Sequence, residues 1–206
     1  MNDKISNVDA RRLFLYLHGL SDLKDRKFED HHLPNMINKI GFVQIDSIKT
    51  VERAHHHILF SRLKSYERTW LKKHLEDERT LFENWTHDAS IIPMAFFPYW
   101  RPRFKRAEEK ISKSKWWRKR IGNDPDTICS EVLNYIETNG PARSRDIKIP
   151  NDISTRKFES ETWWGWNPSK AALVFLWRTG QIAVKGRENF QKVYDLTKNV
   201  IPKNIR

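Results

Sequence analysis

The sequence contains a single cysteine, Cys129, among its 206 residues. One cysteine excludes an intramolecular disulfide and fits a reducing compartment. Cys129 falls in a predicted helix, where we expect a small core residue rather than a nucleophile. No apolar run reaches the length of a membrane span, and the first residues lack the apolar stretch of a signal peptide. These absences predict a cytoplasmic protein that makes no membrane contact.

Metal-binding spacings are also missing. All eight histidines precede residue 88, and several of them are directly adjacent in sequence, as in the run 55–57. Adjacent side chains on a strand point to opposite faces, and the sequence has no H-E-x-x-H motif or Cys/His zinc spacing. A metal-dependent hydrolase is therefore disfavoured, and we expect neither a metal nor a cofactor.

Positive charge and aromatic residues are what the chain has in excess. There are 38 Lys and Arg against 26 Asp and Glu, with a net charge of +12, nine Trp and eleven Phe. A basic, aromatic-rich soluble protein is typical of polyanion binders, and nucleic acid is the simplest such partner.

Much of this charge lies in residues 101–120, which hold ten Lys or Arg and two Glu, a net +8. Such a run is either a solvated helix face or linker, or a phosphate-binding surface. The embedded Trp116 and Trp117 favour the second interpretation. Gly122 and Pro125 break the helix predicted for this run, and we place a domain boundary there. The candidate DNA contacts in this run are Lys113, Lys115, Arg118 and Lys119.

A second stretch carries a pattern suited to hydrolysis. Gly41 is predicted to end a helix, and the segment after it places Gln44 and Asp46 two residues apart. On an extended chain that spacing puts an amide beside a carboxylate, a pair that can orient a water and accept its proton. On spacing alone, however, the favoured interpretation is a solvated amide beside a helix capped by Ser47, with Asp46 at the N-terminal end of that helix. The residues expected to anchor the segment in the core are Phe42, Val43, Ile45 and Ile48.

Periodicity and cap signals predict a mainly helical first half. Helices are predicted from Ser6 to Gly19 and over residues 34–40, 49–53 and 67–78, with a further helical region from residue 89. Strands are predicted over residues 54–63 and 81–85. Helices followed by a pair of strands predict a winged helix-turn-helix domain.

The second half has clearer signals of the same kind. Thr127 is predicted to cap a helix that ends at Gly140, and residues 143–147 to begin the short helix of a helix-turn-helix. Asn167 caps the presumed recognition helix, and the tryptophans at 163–166 just before it are expected to pack rather than to stack on bases. A basic hairpin follows, with Lys185 and Arg187 at its tip. The sequence therefore predicts an α+β, mainly helical fold of tandem winged helix-turn-helix domains, 1–122 and 123–206.

Taken together, these stretches resemble the bacterial winged-helix DNA glycosylases of the AlkZ/YcaQ type. The resemblance runs from about Ala10 to Pro202. It rests on the segments ARRLFLYLHGL, GFVQIDSI, RAHHHILFSRL, LFENWTHDASIIP, GPARSRDI, NPSKAALVFLWRTGQIAV and FQKVYDL.

In that family the first winged helix carries a Gln-aliphatic-Gln or Gln-aliphatic-Asp catalytic motif, and Gln44 and Asp46 match the second form. The resemblance implies monofunctional hydrolysis of the N-glycosidic bond of purines alkylated at N3 or N7, and in some members the unhooking of interstrand crosslinks. It also implies double-stranded DNA as partner, a monomer, and a place at the bacterial nucleoid. Further DNA contacts are expected at Arg53, Ser169, Lys170, Lys185 and Arg187.

Two further expectations accompany the resemblance. His55 and His87 are expected to contact phosphate or to pack near the site, with packing favoured. Family members continue beyond the second winged helix into a region that helps enclose DNA, which a chain ending at Arg206 is expected to lack. The competing hypothesis is a DNA-binding protein without catalysis, such as a transcription regulator, because charge and helix-turn-helix motifs fit it equally well.

Overall fold

The computed structural model describes residues 4–21, 27–122, 124–148 and 167–206. Within this part of the chain the fold is α+β and mainly helical, as predicted. The chain forms two compact units, Met1–Met94 and Ala95–Arg206. The units divide after Met94, so the basic run falls entirely in the second one, and the domain division at residues 122/123 stays a prediction.

The first unit consists of helices around a small antiparallel sheet. Its helices are α1 (Asn7–Leu17), α2 (His32–Ile40), α3 (Ala54–Phe60) and α4 (Arg68–Lys72), the last continued by a π-helical turn, Lys73–Asp77. Its strands are β1 (Val43–Gln44), β2 (Leu81–Trp85) and β3 (Ala89–Pro93), in the order β1-β3-β2. The strand β3 is therefore central and pairs with both neighbours.

Local signals explain the helix ends that were predicted correctly. The Ser6 hydroxyl accepts a hydrogen bond from the Asp9 N–H and caps α1. Gly41 ends α2 with φ of 87°, a conformation that glycine adopts at little cost. Leu33 and Ile37, four residues apart, form the buried face of α2.

Three predictions for the first unit were wrong. Residues 54–60 form the helix α3, not a strand, because His55 and Leu59 lie four apart and are buried on one face. Residues 89–93 form the central strand β3, whose pairing on both edges outweighs the helical signal. Residues 49–53 form no helix; Lys49 and Arg53 are instead joined by an isolated antiparallel bridge.

Of the four residues predicted to anchor the Gln44 segment in the core, two are buried and two are exposed. Val43 and Ile45 are buried, at 1% and 8% exposure, whereas Phe42 is 41% and Ile48 is 71% exposed. Only the residues that flank Gln44 directly hold the segment in the core. Ser47 caps no helix, so the helix-cap interpretation of this segment is wrong.

The second unit has more helix and a sheet of the same topology. Its helices are α5 (Phe97–Ser112, after a 3-10 turn at Met94–Phe96), α6 (Lys115–Ile121), α7 (Pro125–Asn139), α8 (Pro168–Arg178) and α9 (Thr197–Val200). Its strands are β4 (Ala142–Arg143), β5 (Ile182–Glu188) and β6 (Gln191–Leu196), in the order β4-β6-β5.

The helix α8 forms the centre of this unit's core. The Asn167 side chain accepts a hydrogen bond from the Lys170 N–H at 2.8 Å, and Pro168 occupies the first helical position, as predicted. Trp117 is buried against α8: its indole N–H donates to the Ala171 carbonyl at 3.3 Å, and its ring lies 4.7 Å from that of Phe175. One of the two tryptophans in the basic run is therefore a core residue.

Several boundaries in the second unit differ from prediction. Asp124, not Thr127, caps α7, since its carboxylate accepts the Thr127 N–H at 3.2 Å. Residues 144–146 form a turn, and no helix occurs over the described residues 143–148. The hairpin turns at Asn189 and Phe190, both with positive φ, so its tip lies beyond the predicted one. The tryptophans at 163–166 lie outside the described residues.

Cys129 was predicted correctly as a core residue. It lies on α7 and is 8% exposed. Burial raises the pKa of its thiol to about 12, so the unreactive neutral form prevails at neutral pH.

The two sheets share strand order and their first row of paired residues, after which β5 has a register shift between Val184 and Gly186. Val43, the first residue of β1, pairs with Ile91, which pairs with the third residue of β2. Ala142, the first residue of β4, pairs with Tyr194, which pairs with the third residue of β5. Counting along the first strands, Gln44 therefore corresponds to Arg143, and Asp46 to Arg145.

None of the helices in the described ranges is both long and apolar enough to cross a membrane.

Candidate active site and nucleic-acid interface

Gln44 lies at the end of β1, on the edge of the first sheet. It pairs with Ser90 of the central strand, and the Ile45 N–H donates to the Ala89 carbonyl at 2.8 Å, which extends the pairing by one residue. The buried neighbours Val43 and Ile45 fix the backbone on either side. Gln44 itself is partly exposed, and within the described chain its amide has no hydrogen-bond partner.

Asp46 follows directly where the ladder ends and is also partly exposed. One carboxylate oxygen, Oδ1, accepts the N–H of Ile48 at 2.8 Å, which fixes the side chain in an Asx turn. Oδ2 makes no hydrogen bond to any described residue. The carboxylate is therefore held through one oxygen while the other is available to a water or a substrate.

The sheet places a row of polar side chains next to Gln44 that sequence reasoning missed. Gln44, Ser90 and Asn84 are paired across the three strands, so their side chains lie on one face. The Ile45–Ala89 hydrogen bond makes Gln44–Ser90 a non-hydrogen-bonded pair, in which side chains come closest. Ser90 is fully buried and its hydroxyl lies 2.8 Å from that of Thr86.

No pattern in the sequence could have found this row, because Ser90 and Asn84 lie far from Gln44 along the chain and lack any motif of their own. Only the strand register brings them together. The same register, continued two residue pairs beyond Gln44 and Ser90, puts Asp46 opposite Asp88, whose carboxylate accepts the Ala89 N–H at 2.7 Å.

The two candidate histidines have different environments. His55 is 4% exposed on α3, a helix that packs against β1, and this burial favours packing for it. His87 is exposed in the turn between β2 and β3. Next to His55, the Nδ1 atom of His56 lies 2.8 Å from the Tyr66 hydroxyl oxygen. Burial lowers the pKa of His56 and raises that of Tyr66, so both are neutral near pH 7.

Arg53, a candidate DNA contact, directly precedes α3 and is partly buried. Its neighbour Glu52 forms an ion pair with Arg68 at 2.8 Å. The pKa of the Glu52 carboxyl lies below its usual value, mainly because the carboxylate accepts the Arg53 N–H. The nearby charge of Arg68 lowers this pKa further. This local charge pairing leaves Glu52 ionised beside the candidate contact.

The basic run forms α5 and α6 of the second unit. All four of its candidate contacts are exposed: Lys113, Lys115, Arg118 and Lys119. Trp116 is 49% exposed, and the Arg120 guanidinium lies 3.8 Å from its ring centre. Exposed cations beside a stacked Trp–Arg pair suit a phosphate-binding surface better than a linker.

The remaining candidate contacts surround the start of α8 and the hairpin. Lys170 is partly buried, whereas Ser169 is fully buried, which favours packing for Ser169 and excludes it from an exposed surface. Lys185 and Arg187 lie on β5 rather than at the hairpin tip. Lys185 Nζ is 3.7 Å from an Asp195 carboxylate oxygen, and the Arg187 guanidinium donates to the Phe190 carbonyl at 2.7 Å.

Among the described residues no group of three or more His, Cys, Asp or Glu could hold a metal ion. That metal and cofactor are dispensable stays a prediction.

A comparison with protein families identifies the family of this chain. A family model described as DNA glycosylase AlkZ-like matches residues 37–206, which include Gln44, Asp46 and the whole second unit. No solved structure matches the chain. Because the family model covers most of the sequence, DNA is the substrate class and base excision the reaction class, and the chain belongs to the AlkZ-like DNA glycosylase family.

Proposed function

We propose that this chain is a monofunctional glycosylase that hydrolyses the N-glycosidic bond of purines alkylated at N3 or N7, with Gln44 and Asp46 as its catalytic pair. The observation that supports the proposal is the exposure and the available hydrogen-bonding groups of these two side chains. Both are partly exposed at the end of one strand, and the Gln44 amide and Asp46 Oδ2 have no hydrogen-bond partner among the described residues.

The chemistry requires little more than such a pair. Alkylation at N3 or N7 makes the purine cationic and a good leaving group, so protonation by the enzyme is unnecessary. As the bond from C1′ to N9 breaks, its electron pair leaves with the base, which departs neutral. A water attacks C1′ and loses its proton to Asp46, while the Gln44 amide orients that water. The products are the free base and an abasic site.

Asp46 has a second role in this mechanism. The sugar becomes cationic as the glycosidic bond lengthens, and a fixed carboxylate stabilises that charge without reorganising. Its anchoring by the Ile48 N–H keeps Oδ1 in place and suits preorganisation. Since no lysine nucleophile is needed, we expect no strand cleavage.

Both units are proposed to be winged-helix domains. In the first, helix, short strand, two helices and a hairpin follow in order; in the second, α7, β4, α8 and the β5–β6 hairpin follow similarly. The proposed DNA contacts are therefore cations on helices and hairpins: Arg53, Lys113, Lys115, Arg118, Lys119, Lys170, Lys185 and Arg187. We expect a monomer that binds duplex largely independently of sequence, through phosphates.

The test is single-turnover excision of 7-methylguanine from a duplex. Asp46→Asn keeps shape and removes the base and the charge, so the rate should fall about 10²–10⁴-fold. Asp77→Asn, the same change at an exposed position of the same unit, is the matched control and should leave the rate unchanged. Asp46→Asn at the wild-type rate would remove Asp46 from the mechanism.

A crosslinked duplex as second substrate then defines the lesion range. Unhooking that is lost in Asp46→Asn assigns crosslinks to the same pair. If the wild-type chain binds duplex yet forms no abasic site on either substrate, the chain is a DNA-binding protein without catalysis.

A further inference from the structure

Two apolar side chains next to the proposed catalytic pair are exposed to solvent. Ile48 is 71% exposed and Val51 is 80% exposed. Single apolar residues scattered over a protein surface are normal and need no explanation. These two lie together, in the segment that directly follows Asp46, and are therefore candidates for a contact with the substrate.

Val51 lies at the tip of a short closed loop. Lys49 and Arg53 form an isolated antiparallel bridge, so only three residues lie between them. The Glu52 carboxylate forms an ion pair with Arg68 at 2.8 Å and accepts the Arg53 N–H at 2.9 Å. These contacts hold the base of the loop in place, while its central residue, Val51, faces solvent.

Ile48 is tied directly to the proposed catalytic carboxylate. Its N–H donates to Asp46 Oδ1 at 2.8 Å, the hydrogen bond that fixes the Asx turn. Two residues of extended chain span at most about 7 Å, and successive bases of one strand are about 3.4 Å apart along the axis of duplex DNA. The Ile48 side chain therefore lies within about two base steps of a nucleotide that is bound at Asp46.

The two side chains suit insertion between bases. Isoleucine is among the apolar residues that proteins insert as wedges into base steps, which partially unstacks the bases and kinks the duplex. Ile48 and Val51 are both β-branched and restricted at χ1, so they lose little conformational freedom on insertion. The only carboxylate of the loop, that of Glu52, is paired with Arg68 and is not free to repel the DNA backbone.

The reaction class creates the need for such a contact. The chain belongs to a DNA glycosylase family, and an enzyme that does chemistry on a base must take the nucleotide out of the base stack. An apolar side chain that enters the stack removes its own surface from water, which offsets part of the cost of unstacking.

We infer that Ile48 and Val51 form an apolar wedge that enters the base stack of duplex DNA beside the lesion and holds the damaged nucleotide out of the stack. The wedge acts on the conformation of the DNA, not on the glycosidic bond. The inference rests on the proposed function only for the position of the reacting nucleotide at Asp46.

The first measurement is unstacking, which requires no excision. A duplex carries 7-methylguanine beside the fluorescent base 2-aminopurine, whose emission rises when it unstacks, and every protein carries Asp46→Asn so that the lesion stays intact. Binding should raise the emission, and Ile48→Ala/Val51→Ala should abolish most of this rise. The control Ile5→Ala/Val8→Ala removes the same two side-chain types from exposed positions of the first unit and should give the full rise.

The second measurement is single-turnover excision at saturating protein, with Asp46 intact. On a fully paired duplex, Ile48→Ala/Val51→Ala should lower the rate about 10–100-fold, because the nucleotide must be unstacked there. On a duplex that carries 7-methylguanine in an unpaired bulge, the same variant should excise nearly as fast as wild type. Ile48→Leu/Val51→Leu keeps apolar side chains and should retain the wild-type rate on both substrates.

Four results would overturn the inference. The first two are an unchanged rise in emission and an equal loss in the control variant. The third is an equal fall of excision on both substrates, which would mean that these residues position Asp46 and not the DNA. The fourth is a wild-type dimer in sedimentation that the alanine variant abolishes, which would assign the surface to a second copy of the chain.

The two measurements also separate this inference from the proposed function. A wild-type chain that binds duplex without excision would end the proposed function. The emission of 2-aminopurine would still decide whether Ile48 and Val51 enter the base stack.

Discussion

The two sheets have the same strand order, but the corresponding positions in their first strands carry side chains of different kinds. At the second residue of the first strand, the second unit carries Arg143, which is engaged by Asp146 and by Glu188 at 2.6 Å. The first unit carries Gln44, which has no hydrogen-bond partner among the described residues. Two residues further on stand Arg145 and Asp46. The corresponding positions therefore hold a closed ion-pair network in one unit and an available polar pair in the other.

The two units carry opposite charges at this position, and each charge suits a different chemical role. An oxocarbenium-like sugar needs a fixed negative charge beside it, whereas a phosphodiester needs positive charge. A carboxylate in place of Arg145 would repel a phosphate backbone, and an arginine in place of Asp46 would oppose the reaction. On the proposed function, the negative charge of Asp46 is the reason for placing catalysis in the first unit.

Exchanging the two charges should give the largest effect. Asp46→Arg should reduce excision by at least the ~10²–10⁴-fold expected for loss of a general base, since it also sets a cation beside a cationic transition state. Arg145→Asp should leave single-turnover excision intact at saturating protein and weaken duplex affinity at low salt. Excision rates and affinities of both variants would be measured side by side. Equal effects on excision would contradict the division of roles.

Two glycines with positive φ provide a comparison of stability. A Cβ on Gly180, at φ of 79°, would meet the Phe104 ring at 2.5 Å, whereas a Cβ on Gly41, at φ of 87°, would meet nothing within 4 Å. Gly41→Ala should cost about 1–2 kcal/mol for the left-handed backbone. Gly180→Ala should cost about 1–3 kcal/mol more for overpacking.

Urea unfolding of both glycine variants measures the difference in the free energy of unfolding. Both variants put a Cβ on a residue with positive φ, and only Gly180→Ala adds the contact with the Phe104 ring. Equal midpoints would mean that Phe104 moves aside without cost.

Gln44→Ala should lower excision less than Asp46→Asn. The water can still bind Asp46 in a poorer orientation, and a misplacement of this kind costs up to about 10²-fold. Duplex affinity should stay within a few-fold of wild type, because no cation is lost. A loss as large as that of Asp46→Asn would mean that Gln44 does more than orient the water.

Local signals in the sequence predicted those elements whose causes are local. The cap at Asn167 with Pro168, the end of α2 at Gly41 and the strand β2 all follow from neighbouring residues. The two-residue strands β1 and β4 and the central strand β3 exist only through pairing with distant segments. The prediction for residues 54–63 failed because apolar and histidine side chains in a short run fit either period.

The residues of the candidate site also fall into two groups, those that a local motif could identify and those that only strand pairing brings together. Gln44 and Asp46 could be found because they belong to one short motif. Ser90, Asn84 and Asp88 could not, since only the register of three strands brings them near the motif. The exposure of Ile48 was missed for another reason: its apolar side chain predicted a core anchor, and only the fold shows that it faces solvent.

The smallest effect is expected for the hairpin, whose cations are already engaged within the unit. Lys185 neutralises Asp195, whose side chain is 5% exposed, and Arg187 lies 4.4 Å from the Phe190 ring centre and donates to its carbonyl. A phosphate must compete with these contacts. Lys185→Gln/Arg187→Gln should therefore lower the slope of log affinity against log salt by at most about one, half of the fall expected for two full phosphate contacts. Titrations of this variant and of the wild type on one duplex, with unfolding midpoints as the check on Asp195, measure the fall; a fall of about two would mean that both cations leave their partners in the hairpin for phosphates.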